Sequence, residues 1–329
     1  MILAGDIGGT KTVLALCDRS LAILREAIYL CADYPSLEAI LDVFLAPDER
    51  RALTCAAFGV AGPVVDGAAK ITNLPWTIEA RVLADRLDGI PVALLNDLQA
   101  TALGVLVLPD TAFAVLQPPT AIVPGATLAV IAPGTGLGES LVVSDGIQMR
   151  ALPSEGGHAD FAPGTDEEIA LLRYLRGIHG DHVSYERVLS GAGIGETYDF
   201  VRRTIGTSEP AWLTEVFAAG DRNAAIARTA LDKRDPACIR ALEMFTEILG
   251  AEAGNLALRG LATGGVVIGG GIPPKILPAL RESRVIDRFN AKGRFASWTR
   301  TLSVRVALEP RAALFGAAHH ARTYKDSRS

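Results

Sequence analysis

The sequence predicts an α/β fold, and three observations carry that expectation. Short apolar strands alternate with stretches of helical periodicity. Glycine, 33 of 329 residues, gathers in clusters at the ends of those strands and does not spread through linkers. A glycine-turn hairpin occurs twice, as MILAGDIGGTKTVLALCD at 1–18 and LAVIAPGTGLGESLVVSD at 128–145. Aligned without a gap, GDIGGTKT lies against APGTGLGE, which points to an internal duplication with one such hairpin opening each half.

Each element follows from its local pattern. SLEAILDVFLA (36–46) spaces Leu37, Ile40, Leu41 and Phe44 for one helix face. TCAAFGVAG (54–62) reads as a buried strand, and GPVVDGAAKITNLPW (62–76) as a ribbon turning at Asp66-Gly67. IEARVLADRLD (78–88) reads as a helix, IPVALLND (90–97) as a strand ending in two polar residues, and LQATALGVLVL (98–108) as the next helix. This alternation predicts a largely parallel core. Farther on, 167–180 reads as a helix stopped by glycine and 238–260 as a long buried helix. GGVVIGGGIPPKI (264–276) is a strand entering a glycine turn, and 304–321 is a strand, a turn and an alanine-rich helix. The junction between domains is expected near residue 107. A small domain would comprise 1–106 plus about 304–329, and a large one 107–303.

Composition narrows the function classes. The net charge is −5 and no dense Lys/Arg run occurs, against a nucleic-acid partner. Cys17, Cys31, Cys55 and Cys238 are widely separated, which argues against a disulfide framework or a thiolate zinc site. The N-terminus lacks a signal-peptide core and no apolar run reaches membrane-spanning length. A soluble, cytoplasmic protein is the expectation.

Six stretches carry chemistry. In GDIGGTKT, Asp6 ends a strand, and Gly8, Gly9 and Thr10 can present backbone N–H groups and a hydroxyl to an anion. The bland alternative is a tight hairpin whose glycines serve only a positive φ. In APGTGLGES, Gly134, Thr135 and Gly136 form a matching cradle. In LLNDLQATALG, Asn96 and Asp97 stand where a buried strand passes into a helix, the end of an α/β sheet at which ligands bind. Asp97 there could serve as a helix cap or accept a proton from a substrate hydroxyl. PSEGGHADFAP (153–163) sets Glu155 and His158 about two glycines, with Asp160 behind. No cysteine or spaced histidine completes a zinc site, which leaves a solvated loop or a pocket for vicinal hydroxyls. In YERVLSGAGI, Glu186 precedes an apolar pair and is either an exposed helix-start residue or one directed inward. TGGVVIGGGIPPK, with Gly270 and Gly271, has the form of a nucleotide-base cleft.

In this order, DIGGTKT, TNLPW, LLNDLQATALG, GTGLG, EGGHADFAP, ERVLSG, GGVVIGGGI and KGRF resemble the bacterial glucokinase family, sugar kinases of the actin/hexokinase superfamily. The resemblance runs from residue 5 to about residue 320. It implies two ribonuclease-H-like α/β domains around a deep cleft, ATP with Mg²⁺ as donor, D-glucose as acceptor, and a homodimer. It implies that Asp97 is the catalytic base, that Asn96, Asp97, Glu155, His158 and Glu186 bind the sugar, and that Asp160 only supports its loop. Asp6, Gly8, Gly9 and Thr10 would form the first phosphate segment, with Mg²⁺ reached through Asp6. Gly134, Thr135 and Gly136 would form the second, and Gly270 and Gly271 would lie against adenosine. No structural metal is implied, because the cysteine-rich motif of the related repressor/open-reading-frame/kinase group is absent. Lys11 departs from the Asn found in many family members, which puts phosphate contacts there in doubt. The alternatives are another hexose or N-acetylhexosamine kinase, or a donor other than ATP. A sugar-responsive repressor is not expected, since GDIGGT at residue 5 leaves no room for a preceding DNA-binding segment. A filament ATPase would not need Glu155, His158 and Glu186.

Overall fold

A computed structural model describes residues 1–71 and 74–326. Thr72 and Asn73 of the TNLPW motif lie outside the described residues. The chain divides into two compact units. The first is Met1–Ala112, Asp145–Pro153 and Glu309–Ser329, and the second is Phe113–Ser144 and Ser154–Leu308.

The first unit is built on a five-stranded sheet of β1 (Ile2–Ile7), β2 (Lys11–Cys17), β3 (Ile23–Leu30), β4 (Cys55–Val60) and β5 (Val92–Asn96), in the order β3-β2-β1-β4-β5. The hairpin β1–β2 and its extension to β3 are antiparallel, whereas β1, β4 and β5 run parallel. The sheet is therefore mixed, a correction to the largely parallel core expected from alternation alone. β3 escapes a sequence reading because its exposed residues include Leu24, Ile28 and Leu30, which blur the strand's alternation. Leu3, Ile7, Leu14, Phe44 and Phe58 are fully buried on one side of the sheet, each such side chain stabilising the unit by about 1.5–3 kcal/mol.

On the other side lie α1 (Asp97–Gly104) and the terminal helix Ala312–Asp326. They pack at backbone contact: a Cβ on Gly104 would collide with the carbonyl of Ala312, and one on Gly316 with the carbonyl of Ala100. Residues 78–88 are not one helix. Thr77–Glu79 is a strand of the small three-stranded ribbon, and the helix begins at Ala80. The Asp66-Gly67 turn of that ribbon has both residues at positive φ, 50° and 74°, the twist a two-residue hairpin needs.

The second unit repeats the plan with β6 (Phe113–Gln117), β7 (Leu128–Pro133), β8 (Leu137–Ser144), β9 (Val266–Ile268) and β10 (Val304–Ala307). Here β8 is antiparallel to β7, while β7, β9 and β10 are parallel. β1 and β7 share one burial pattern, fully buried but for their fifth residues, Asp6 and Ala132. The duplication is thus topological, but the gapless alignment is off. The paired residues Ile7 and Thr12 enclose 8–11, one residue more than the 134–136 enclosed by Pro133 and Leu137.

The long α3 (Pro236–Gly260) runs through the core of this unit, preceded by α2 (Gly191–Ile205). Asp235 caps α3 by accepting from the amides of Ala237 and Cys238 at 3.0 and 2.9 Å, worth about 1 kcal/mol.

Candidate active site

In the first unit, the site is built where β1 and β5 end. The apolar run Val92–Leu95 holds β5 in the sheet, and Asn96 closes it. Asn96, not Asp97, takes the helix cap: its Oδ1 accepts from the Leu98 amide at 2.9 Å and its Nδ2 donates to the carbonyl of Gly62 at 3.2 Å. Gln99 returns the favour by accepting from the Asn96 amide at 3.2 Å. Asn96 spends one donor hydrogen and one acceptor on these bonds, and Asp97, exposed in the first helical turn, shares the Leu98 amide through its Oδ1 at 2.8 Å.

Gly59 makes room for this arrangement. It pairs with Asp6 across the sheet, and a Cβ there would press on the Ala100 methyl at 2.8 Å and stand 3.8 Å from Asp97 Cα. Asp6 and Asp97 are close enough to interact. Burial first, then the Asp97 charge, push the Asp6 carboxyl up to about 6, with Lys11 opposing. Gly8 donates to the Lys11 carbonyl at 3.0 Å to close the turn, and Thr10 is exposed at its tip. Gly8 does not have a positive φ, so left-handed backbone is not what calls for glycine there. Instead a Cβ there would sit 3.2 Å from the Lys11 carbonyl.

A divalent cation fits this end of the unit. Two carboxylates crowd together at a cost that a cation would relieve, beside a turn suited to phosphate. Among the described residues, no three His, Cys, Asp or Glu side chains gather to hold a metal by themselves.

In the second unit, the glycine turn, the EGGH stretch and Glu186 come together. Glu155 and His158 flank a single 3₁₀ turn, with His158 Nε2 4.0 Å from Glu155 Oε2 and both side chains exposed. The glycines between them are fixed by packing. A Cβ on Gly157 would collide with the Leu137 carbonyl, and one on Gly156 with the carboxylate of Glu139. Past the turn, Phe161 donates to the carbonyl of Val183 and Tyr185 to that of Ala159, which lays the stretch alongside Glu186. Asp160 turns away to His182, 2.9 Å from its Nδ1, and supports the loop.

Glu186 is half-buried and accepts from the Leu137 amide at 3.0 Å, directly after the second glycine turn. A Cβ on Gly136 would collide with that carboxylate. Thr135 is exposed at the tip of the turn. The carbonyl of Gly134 accepts from the Gly191 amide at 2.9 Å, so the N-terminus of α2 abuts the turn and adds its positive dipole. Gly270, at φ 84°, passes so close to Pro133 that a Cβ would collide with its carbonyl, and the Gly271 amide lies 4.0 Å from the Cβ position of Gly134. Gly134, Gly136, Glu186, Gly270 and Gly271 thus share one locality, while Asp6, Asn96 and Asp97 form a separate group in the other unit.

A glucokinase family model matches residues 3–324 of the sequence. The chain belongs to the glucokinase family. It is 39% identical to a glucokinase of Nostoc punctiforme over 97% of this chain and 98% of that protein. Its fold matches the crystal structure of a glucokinase from an Antarctic psychrotroph with a TM-score of 0.85, at 30% identity and 98% coverage of each chain. It also matches a ROK family glucokinase of Streptomyces griseus in complex with glucose and AMPPNP, with a TM-score of 0.64, 22% identity, and coverage of 98% of this chain and 99% of that one. At that identity the last match speaks for the fold alone.

Two features of this family member escaped the sequence reading. Ser190 caps α2 by accepting from the Gly193 amide at 3.1 Å, a start signal legible in SGAG as serine before a helix. Glu139, buried at 1% exposure directly under the EGGH turn, was visible only as a carboxylate in an otherwise apolar strand.

Proposed function

We propose that this chain is a glucokinase that transfers the γ-phosphoryl group of ATP to the 6-hydroxyl of D-glucose. The observation that carries the reading is Asp97, exposed directly after the carboxyl end of β5 and oriented by the Leu98 amide, which it shares with the capping residue Asn96. A carboxylate so placed can accept the hydroxyl proton as the phosphoryl bond forms. Asn96, Glu155, His158 and Glu186 complete the sugar's hydrogen bonds, and the two glycine turns hold the phosphates through backbone N–H groups. Gly270 and Gly271 let the chain lie flat against adenosine. Magnesium, reached through Asp6, would neutralise charge on the phosphates. Family resemblance extends the reading to a cytoplasmic homodimer; among the described residues no helix is long and apolar enough to cross a membrane.

Direct measurement of the phosphorylated sugar formed tests this, run with glucose, fructose, mannose and N-acetylglucosamine and with polyphosphate or ADP exchanged for ATP. The expected result is turnover with glucose and ATP far above every other pair. Higher kcat/KM with another sugar or donor would replace the assignment.

A further inference from the structure

Among the carboxylates that the second unit buries, Glu139 and Glu252 share one arginine and have no part in phosphoryl transfer. Glu139 lies on β8, 1% exposed, and Glu252 lies on α3, fully buried. Arg259, farther along α3, stands 2.7 Å from Glu252 Oε1 and 3.4 Å from Glu139 Oε2. Glu252 Oε2 accepts from Asn255 at 2.9 Å. Glu139 Oε1 and Glu252 Oε1 are both buried without a hydrogen-bond donor among the described residues, Glu252 Oε1 having only its ion pair with Arg259. Arg259 Nη1 reaches both carboxyls, which places them side by side, and one proton shared by the pair would partner an oxygen left without a donor.

This pair sits beneath the sugar residues. The Gly156 backbone rests on Glu139 Oε2 so closely that a Cβ would collide with it. On the far side, Asn255 Nδ2 donates to the hydroxyl of Tyr185 at 3.2 Å, next to Glu186 in the chain. Lys292 of the KGRF motif donates to Asn255 Oδ1 at 2.6 Å and to the carbonyl of Ala251 at 2.7 Å, which fixes the network from below.

We propose that Glu139 and Glu252 are a proton-sharing positioning pair that holds the Glu155–His158 turn at the height glucose binding requires. The inference rests on the reading of that turn as part of the sugar pocket. With one proton, the pair carries a single negative charge against Arg259. Without it, two adjacent buried carboxylates repel, Glu139 shifts, and the turn seated on it moves. Burial and the charge of Glu252 push Glu139 up to about 8, with Arg259 opposing. Lys292, which also faces Glu252, is lowered by burial to about 8 and titrates in the same range, so it must be tested separately.

The test is glucose affinity from pH 6.5 to 9, by calorimetry without nucleotide and as KM at saturating ATP. In the unaltered protein, affinity is expected to fall about fivefold from pH 7 to 9 and binding at pH 8 to take up a fraction of a proton, measured in buffers of different ionisation enthalpy. Glu139→Gln and Glu252→Gln mimic the protonated pair. Each should flatten the profile to within about twofold and move KM without moving kcat. Lys292→Met should keep the slope. Proton uptake of zero in the unaltered protein, or an unchanged slope in both glutamine variants, overturns the proposal. Glu155→Gln separates the two readings: if it leaves KM untouched at pH 7, the pocket assignment fails; if it raises KM while the slopes stay equal, only the proton-sharing pair fails.

Discussion

Asp97 acts on Asp6: its charge, added to burial, holds the Asp6 carboxyl up to about 6. Asp6 stands in β1 and Asp97 opens α1, and the sheet pairing of Asp6 with Gly59, a residue without a side chain, allows the approach. Asp97 is exposed, whereas Asp6 is largely withdrawn from solvent.

Removing the carboxylate of Asp97 should abolish most turnover. Asp97→Ala and Asp97→Asn are expected to lower kcat by about 10²–10⁴-fold while glucose still binds through the remaining polar groups. Steady-state kinetics with glucose calorimetry checks both halves, and a kcat near that of the unaltered enzyme would remove Asp97 from the mechanism.

Asp6 should leave a signature in stability. Its folded value lies above its ordinary 3.8, so between about 4 and 6 the folded chain holds a proton that the unfolded chain has lost. Its favourable contribution is complete below 3.8 and disappears as pH rises through about 6. Asp6→Asn removes that loss. Urea midpoints compared at pH 4 and pH 7 should favour the variant more at pH 7, and an equal difference at both pH values would contradict the shift.

Much of this was legible in the sequence because it is written in short-range chemistry. The glycine turns, the strand ending in Asn96-Asp97 and the long helix over 238–260 all follow from local patterns. The exceptions are long-range. β3 shows no clean alternation because Leu24, Ile28 and Leu30 face solvent. Asn96 is the cap residue, held by Gly62 and Gln99, and Asp97 shares the Leu98 amide with it, contacts that only the fold supplies. Glu139 and Glu252 are 113 residues apart and meet only once β8 and α3 pack.

The polar rim of the sugar loop yields a specificity prediction. Glu155→Gln and His158→Ala should each raise KM for glucose at least about tenfold, because the partner hydroxyl is left without its hydrogen bond. Neither side chain is buried, so melting temperatures should barely change. A KM unchanged in both variants would return EGGH to the status of a solvated turn.

Glycines in apparently similar clusters should separate sharply on substitution. A Cβ at Gly136 would strike the Glu186 carboxylate, whereas one at Gly271 would meet nothing within 4 Å. Gly136→Ala should therefore damage kcat/KM for glucose by displacing Glu186, with only a small loss of stability, because the collision is with a partly exposed side chain. Gly271→Ala should fold normally and affect KM for ATP alone, by thickening the chain facing adenosine. Gly316→Ala should do the opposite of both: its new methyl would collide with the Ala100 carbonyl, where two backbones touch and neither can yield cheaply. The cost expected is about 1–3 kcal/mol of stability, with the kinetics of the surviving folded enzyme near normal. Thermal unfolding and kinetics on the three proteins decide the matter. Equal melting temperatures for Gly316→Ala and the unaltered chain would show that the α1 contact with the terminal helix is looser than the geometry states.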